Sequence, residues 1–275
     1  MDKQFNLKPA FILSILVAML ASVVSVGGLL LNNLYRDNDF VKSAWFTNDI
    51  ITLLVAVPLL IAALWFTQKG SVRCQLVWMG MLGYMAYNFA FYLFGAAFNI
   101  LFIVYVALFS LSVASLILKL SNLDLHSISL LFSAKTPVKG LIIYLLVIAV
   151  MLFAVEMGMI SNYLLTGILP ETIKLTGQQT SVVFAMDLSI VVPLLFITAI
   201  LLWKRLAWGY VLGIMMLLKG FTYGLVLSIG TALLAHSPAY GKWDPLMPFC
   251  MVLTIGGFTG CWVLLKKRKE KIVIK

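Results

Sequence analysis

Long apolar runs, separated by short polar or basic segments, dominate the chain. An α-helix needs about 20 predominantly apolar residues to cross roughly 30 Å of hydrocarbon. Eight runs approach or exceed this length, at about residues 10–32, 50–66, 76–97, 99–118, 140–163, 183–203, 208–234 and 247–265. The third and fourth meet without a charge, but the stretch GAAFN between them predicts a turn. The pattern predicts an all-α polytopic membrane protein with eight transmembrane helices, forming a single integral domain over residues 1–275.

Composition and charge support this class and predict an orientation. Hydrophobic residues make up 63% of the chain and charged residues only 11%, against roughly 25% charged residues in soluble domains. Lysine and arginine collect in cytoplasmic loops. With the N-terminus inside, fifteen of them fall on the cytoplasmic side, including the basic tail at 266–275, and four fall outside: Arg36, Lys42, Lys174 and Lys242. This asymmetry predicts that both termini are cytoplasmic. It also accounts for the net charge of +10 as an orientation signal with attraction to anionic lipid, and no nucleic-acid partner is expected.

Two of the runs share a further pattern. Each contains a proline followed by two leucines and places an acid sixteen residues before a tryptophan: Asp49 before Trp65, and Asp187 before Trp203. The next helices begin WMGMLGYMAYNFAF and WGYVLGIMMLLKGF, with several identical residues in register. Because an even number of spans separates the copies, they predict two parallel repeats of four helices, within residues 1–120 and 135–270. Shared membrane composition alone can produce much of this pattern.

Three charged residues fall inside predicted spans. Lys219 lies about 16 Å into its helix, near the midplane, whereas Asp187 and Glu156 lie toward the outer boundary. A lysine at the midplane is costly, so its side chain is expected to face the bundle interior. Helical side chains lean toward the helix N-terminus, which tips Lys219 away from both acids. A direct ion pair is therefore not favoured, and a water molecule or a bound anionic group between them fits equally well.

Polar residues on the third predicted span lie at a similar depth. Tyr84, Asn88 and Tyr92 follow at helical spacing and share one face, so with Lys219 they are candidates for the wall of a ligand cavity. Interhelical hydrogen bonding without a ligand explains the same residues. Asp49 is only a secondary candidate for the ligand site. Its position after Thr47 and Asn48 is typical of a helix start, which would explain the acid without a ligand.

The stretches TNDIITLLVAVPLL, YNFAFYLFG and MDLSIVVPLLF, with the following LLWKRLAWGYVLGIMMLLKG, resemble segments of uncharacterised multi-pass membrane proteins of bacteria. The resemblance implies a location in the bacterial cytoplasmic membrane. It brings no activity and no functional residues with it.

The polar residues leave more than one class of function open. A small-solute transporter is favoured by the possible repeats, by the prolines within spans and by polar residues at depths from the outer boundary to the midplane. Its polar cavity would open to the outer face, and its ligand would be a small molecule or an ion. The alternative is a non-catalytic structural or sensory membrane protein in which buried polar groups only set helix packing. An enzyme is not favoured, because no candidate nucleophile lies at the same depth in the membrane as a candidate general base. No spacing of cysteines and histidines indicates a metal or another cofactor.

The charge asymmetry generates a test of topology. A phosphatase reporter that is active only outside the cytoplasm should be active near Gly177 and inactive after Lys275. Activity of the C-terminal fusion alone would contradict the predicted orientation.

Overall fold

The computed structural model of the protein describes residues 8–132, 136–236 and 245–266. Every element in this part of the chain is helical. The helices are α1 (Lys8–Leu30), α2 (Asp39–Gln68), α3 (Val72–Gly95), α4 (Phe102–Ser121), α5 (Leu125–Ser129), α6 (Lys139–Thr166), α7 (Glu171–Thr176), α8 (Val182–Trp203), α9 (Ala207–Ala235) and α10 (Met247–Leu265). The basic residues Lys3, Lys135 and Lys242 and the tail beyond Lys266 lie outside the described residues.

Seven helices in the described ranges are long and apolar enough to cross a membrane: α1, α2, α4, α6, α8, α9 and α10. The chain is therefore a multi-pass, all-helical membrane protein. The remaining predicted run, at 76–97, corresponds to α3, which is 24 residues long. Its composition differs from that of the seven because it carries Arg73, Gln75, Asn88 and several tyrosines.

The second predicted run is wrong at its start. The run at 50–66 belongs to a helix of 30 residues that begins at Asp39. Its N-cap is Asn38, whose side chain accepts a hydrogen bond from the Val41 amide. Polar residues at 42, 43 and 47–49 hide this first part of the helix from a search for apolar runs. The predicted turn at GAAFN is confirmed, because α3 ends at Gly95 and α4 begins at Phe102.

Two groups of four long helices form the bundle. In the first, α1 packs against α2 and α4, and α3 also packs between α2 and α4. In the second, α9 packs between α8 and α10, and α6 packs mainly against α8. The groups meet where α3 and α2 contact α9. Large apolar side chains such as Leu54, Ile103 and Phe258 are exposed on the outside of the bundle, as expected for a surface in contact with lipid.

Three connections meet at one end of the bundle. The Ala97 amide donates to the Asp37 carboxylate at 3.0 Å, and the Asn38 amide group donates to the Leu175 carbonyl at 2.9 Å. The Gln178 amide group donates to the Gly95 carbonyl at 2.7 Å. These bonds tie the 31–38, 96–101 and 167–181 connections together, so the two groups of helices are joined there as well as through α3 and α9.

Helices α2 and α8 contain the same local irregularity. Residues Thr52–Ala56 and Asp187–Val191 each form a π-helical turn, closed by i→i−5 hydrogen bonds from Val57 to Thr52 and from Val192 to Asp187. The sequence Val-Pro-Leu-Leu follows each turn directly. A proline lacks the N–H that would bond four residues back, and its ring crowds that carbonyl. The wider turn accommodates both effects, and such turns often occur at functional sites.

Close packing of α9 against α10 depends on glycine. A Cβ atom on Gly257 would overlap with the backbone of α9 at Leu217 and Phe221. Gly158 on α6 is different, because a Cβ there would enter open space. Small residues at such contacts let membrane helices approach closely.

Gly257→Ala is expected to destabilise the protein by about 1–3 kcal/mol, because backbone atoms of α9 cannot move aside as a side chain can. The melting temperature in detergent measures this effect. Gly158→Ala is the matched control and should leave the melting temperature unchanged or raised. Equal effects of the two changes would contradict this account of the α9 and α10 contact.

Candidate functional site

A buried ion pair joins α8 to α9. The Lys219 Nζ atom lies 3.4 Å from the Asp187 Oδ1 atom, and the relative exposures of the two side chains are 12% and 2%. The sequence did not favour this direct pair, so that expectation is corrected. Asp187 is the first residue of the π-helical turn in α8, and the long lysine side chain spans the remaining offset between the two helices.

Two tyrosines complete the surroundings of the Lys219 ammonium group. The Tyr87 hydroxyl on α3 donates a hydrogen bond of 2.8 Å to Asp187 Oδ1. The Lys219 Nζ atom lies 4.0 Å from the centre of the Tyr87 ring and 4.7 Å from that of Tyr223. The two rings pack edge to face, with centres 5.5 Å apart. Both distances to the ammonium fall within the range of cation–π attraction.

Glu156 on α6 lies beside this ion pair. Its relative exposure is 4%, although most neighbouring residues of α6 are exposed. It interacts electrostatically with both Asp187 and Lys219. Its Oε2 atom is buried and accepts no hydrogen bond within the described part of the chain. We call Lys219, Asp187, Glu156, Tyr87 and Tyr223 the lysine site.

Asp49 occupies a second polar group, formed mainly by α2 and α3. The Tyr35 hydroxyl donates to its Oδ2 atom at 2.6 Å and the Tyr92 hydroxyl to its Oδ1 atom at 3.0 Å. Burial, and then the nearby Asp49 carboxylate, raise the pKa of the Tyr35 phenol above its ordinary value, so this phenol keeps its proton and acts as a donor. We call Asp49, Tyr35 and Tyr92 the tyrosine site.

The interpretation of Asp49 as a helix-start residue is wrong. Because α2 begins at Asp39, Asp49 lies almost three turns inside the helix, with a relative exposure of 1%. The bonds from two phenols replace the amide donors that a helix start would have supplied.

Thr52 lies three residues after Asp49 in α2. Its Oγ1 atom is 3.2 Å from the Tyr84 hydroxyl and accepts a hydrogen bond of 3.3 Å from the Asn88 amide group. Thr52 is the first residue of the π-helical turn in α2, the same place that Asp187 holds in α8. Each π-helical turn therefore starts with a side chain that α3 contacts.

The structure places the sequence-predicted site residues in three separate groups. Lys219, Asp187 and Glu156 form one group, Tyr84 and Asn88 form a second around Thr52, and Tyr92 joins Asp49. The three polar residues of α3 share one face, as their spacing predicted, but that face is directed at α2 instead of Lys219.

Sequence reasoning missed four participants. Tyr87 contacts Lys219 from a different face of α3, and Tyr223 lies one helical turn beyond Lys219 on α9. The spacing of Lys219 and Tyr223 could have revealed their common face. Nothing in the local sequence linked Tyr35, which lies in a connection, or Thr52 to the acids.

A groove of about 530 Å³ lies between α6, α7 and the first part of α8. Its lining is mainly apolar and includes Ile160, Phe184 and Leu188, with Thr180 and Ser181 near the start of α8. Leu188 and Ser189 of the π-helical turn line the groove, whereas the residues of the lysine site do not. Within the described residues, no group of three or more histidine, cysteine or acidic side chains is placed to hold a metal ion.

No protein-family model, curated protein or solved structure matches the chain. The resemblance to bacterial multi-pass proteins therefore stays an expectation from the sequence.

The tyrosine site generates a test at α1. A Cβ atom on Gly28 would overlap with the Asp49 carboxylate and the Tyr35 hydroxyl, whereas one on Gly27 would make ordinary contacts of 3.8 Å with Leu31 and Leu101. Gly28→Ala should therefore cost about 1–3 kcal/mol of stability, measured as a lower melting temperature in detergent. Gly27→Ala is the control and should melt as the wild type does. A wild-type melting temperature for Gly28→Ala would show that the site is not held tightly against α1.

Proposed function

We propose that the protein is a small-solute transporter with eight transmembrane spans, both termini in the cytoplasm and a solute site at Lys219, Asp187 and Glu156. The observation that carries the proposal is the composition of the lysine site. It contains a buried ion pair and, beside it, a buried acid with an unpaired oxygen. Ionisable groups within a bilayer are costly and commonly mark the pathway of a solute or an ion.

The eighth proposed span is α3. Its 24 residues correspond to about 36 Å of helix, which exceeds the hydrocarbon thickness. Its polar side chains at Tyr84, Asn88 and Tyr92 are buried in the bundle, so they would not contact lipid. Eight spans agree with the charge asymmetry in the sequence and place the basic connections against the anionic inner leaflet.

The two groups of helices support a repeat of four plus four. In this arrangement, α1 to α4 correspond to α6, α8, α9 and α10. The π-helical turns and the Val-Pro-Leu-Leu sequences fall at matching places in α2 and α8. Aligning the two π-helical turns pairs Asp187 with Thr52, three residues after Asp49. The sequence spacing to tryptophan had instead paired Asp187 with Asp49.

The position of the lysine site suits this proposal. Transporters built from repeats bind their solutes near the membrane midplane, at the interface between repeats, and often at interrupted helices. Asp187 starts the interruption in α8, and Tyr87 reaches it from α3 across the interface of the two groups.

The second candidate is a structural or sensory membrane protein. The tyrosine site favours it, because both carboxylate oxygens of Asp49 accept a hydrogen bond from a tyrosine. Such a satisfied network fixes helix packing without a ligand. The two candidates differ in what Lys219 does.

A thermal-shift screen of the purified protein distinguishes them, with amino acids, organic anions, organic cations and lipids as the compounds. If the lysine site binds solute, the stabilisation that a compound gives to the wild type should change in Lys219→Met, because Asp187 then lacks its ion-pair partner. The variant should still insert, because an uncharged side chain costs less in the bilayer.

Lys42→Met is the matched control, since it removes an exposed lysine that pairs with Asp39 at 3.4 Å. It should respond to the compound as the wild type does. A compound that stabilises the wild type and Lys219→Met equally would place the solute site elsewhere. If uptake of that compound into vesicles is also absent, the structural or sensory candidate replaces the transporter.

A further inference from the structure

Two acids and one lysine make up the ionisable groups of the lysine site that can carry a charge near neutral pH. Asp187 and Glu156 are acids and Lys219 is a base, so the fully ionised site would carry a net charge of −1. The ion pair seen at this site joins Lys219 to Asp187, so the one lysine compensates one of the two acids. An uncompensated charge in a low-dielectric interior is strongly unfavourable.

Glu156 is the group that this charge count concerns. Lys219 and Tyr87 both contact Asp187 Oδ1, while Glu156 Oε2 remains buried and unpartnered. The neutral acid avoids the cost of a buried, unpaired carboxylate. The site is electrically neutral when Glu156 carries a proton and the Lys219 ammonium pairs with Asp187.

The surroundings of the Lys219 ammonium have the chemistry of an ammonium-binding site. One carboxylate oxygen lies 3.4 Å from the Nζ atom, and two tyrosine rings face it at 4.0 and 4.7 Å. A carboxylate combined with aromatic faces is how proteins recognise organic ammonium ions. Lys219 therefore occupies a position that an ammonium ion from solution would also fit.

We propose that the lysine site exchanges one small organic ammonium ion for one proton. The incoming ion takes the place of the Lys219 ammonium on Asp187, between Tyr87 and Tyr223. Lys219 turns to Glu156, which releases its proton. This inference rests on the proposed transport function and names its substrate class.

Charge balance fixes the stoichiometry of the exchange. Before binding, the site holds the Lys219 and Asp187 pair and a neutral Glu156. After binding, it holds two ion pairs, one between Lys219 and Glu156 and one between the ligand and Asp187. One positive charge enters and one proton leaves, so the net charge of the site stays at zero in both states.

Three titratable groups interact electrostatically with Glu156: Asp187 on α8, and Lys219 and Tyr223 on α9. Tyr87 on α3 and Cys250 on α10 are the next titratable groups, and both interact with Tyr223. Of these, only Lys219 carries a positive charge. It is therefore the group that can stabilise ionised Glu156.

Proton release on binding tests the exchange directly. The probe is methylammonium chloride, added to the purified protein in weakly buffered detergent solution with a pH-indicator dye. Sodium chloride at the same concentration controls for ionic strength. The wild type should be stabilised against heat by methylammonium and should release about one proton per protein.

Three variants assign the result to the site. Glu156→Gln keeps the shape of the neutral acid and should fold, but it should release no proton and bind methylammonium about 30-fold or more weakly, because Lys219 loses its alternative partner. The double variant Asp187→Asn with Lys219→Met removes the pair without leaving an isolated charge, and it should not bind the probe. Asp39→Asn is the exposed control and should behave as the wild type. Size-exclusion chromatography confirms that each variant is folded.

Other outcomes separate this inference from the transport proposal. Binding of methylammonium without proton release, or equal stabilisation by sodium, would overturn the exchange. If methylammonium has no effect while another compound stabilises the wild type but not Lys219→Met, the proposed ammonium substrate is wrong. The proposal of a solute site at Lys219 is then retained. If no compound shows an effect that depends on Lys219, both proposals fall.

Discussion

The constraint on which the site depends is the cost of keeping Lys219 inside a bundle that offers few polar partners. An unpaired lysine at that depth costs roughly 2.5–3.5 kcal/mol on insertion scales. Asp187 compensates the charge, Tyr87 holds Asp187 in place, and Tyr223 covers the ammonium from α9 itself. One charge therefore links α3, α8 and α9. It does so where the two groups of four helices meet, so the requirement of a single side chain coincides with the main interface of the bundle.

The tyrosine site and the lysine site stabilise a buried carboxylate in different ways. Asp49 has no ion-pair partner among the described residues, and hydroxyl groups from a connection and from α3 satisfy it at close distance. Gly28 leaves just enough room for this arrangement beside α1. The lysine site uses a full opposite charge for one acid and leaves another without a donor. A network of matched donors favours one fixed structure, whereas two acids that share one lysine allow two arrangements of similar charge balance.

The helices could be predicted from the sequence because span length and apolar composition are local properties. Seven of the eight predicted runs coincide with apolar helices, to within a few residues at most ends. The first part of α2 was missed because its polar residues face the bundle, and a composition search cannot distinguish them from a loop. The burial of Glu156, Asp187 and Lys219 followed from the cost of charge in a membrane. Their partners did not, because the contacts of Tyr35 and Tyr87 depend on how helices rotate against one another, and the sequence of a single helix does not contain that information.

The π-helical turn in α8 has a mechanical consequence. Such a turn contains one residue more than the α-helical turn it replaces. The part of α8 after it is anchored by the buried side chains Leu195, Ala199 and Leu202. If the turn converted to α-helix, the part before it would rotate by about 100° around the helix axis and advance by about 1.5 Å. Asp187 would then leave Tyr87 and Lys219 while the rest of the helix stayed in place, so a change of register by one residue is enough to open the ion pair.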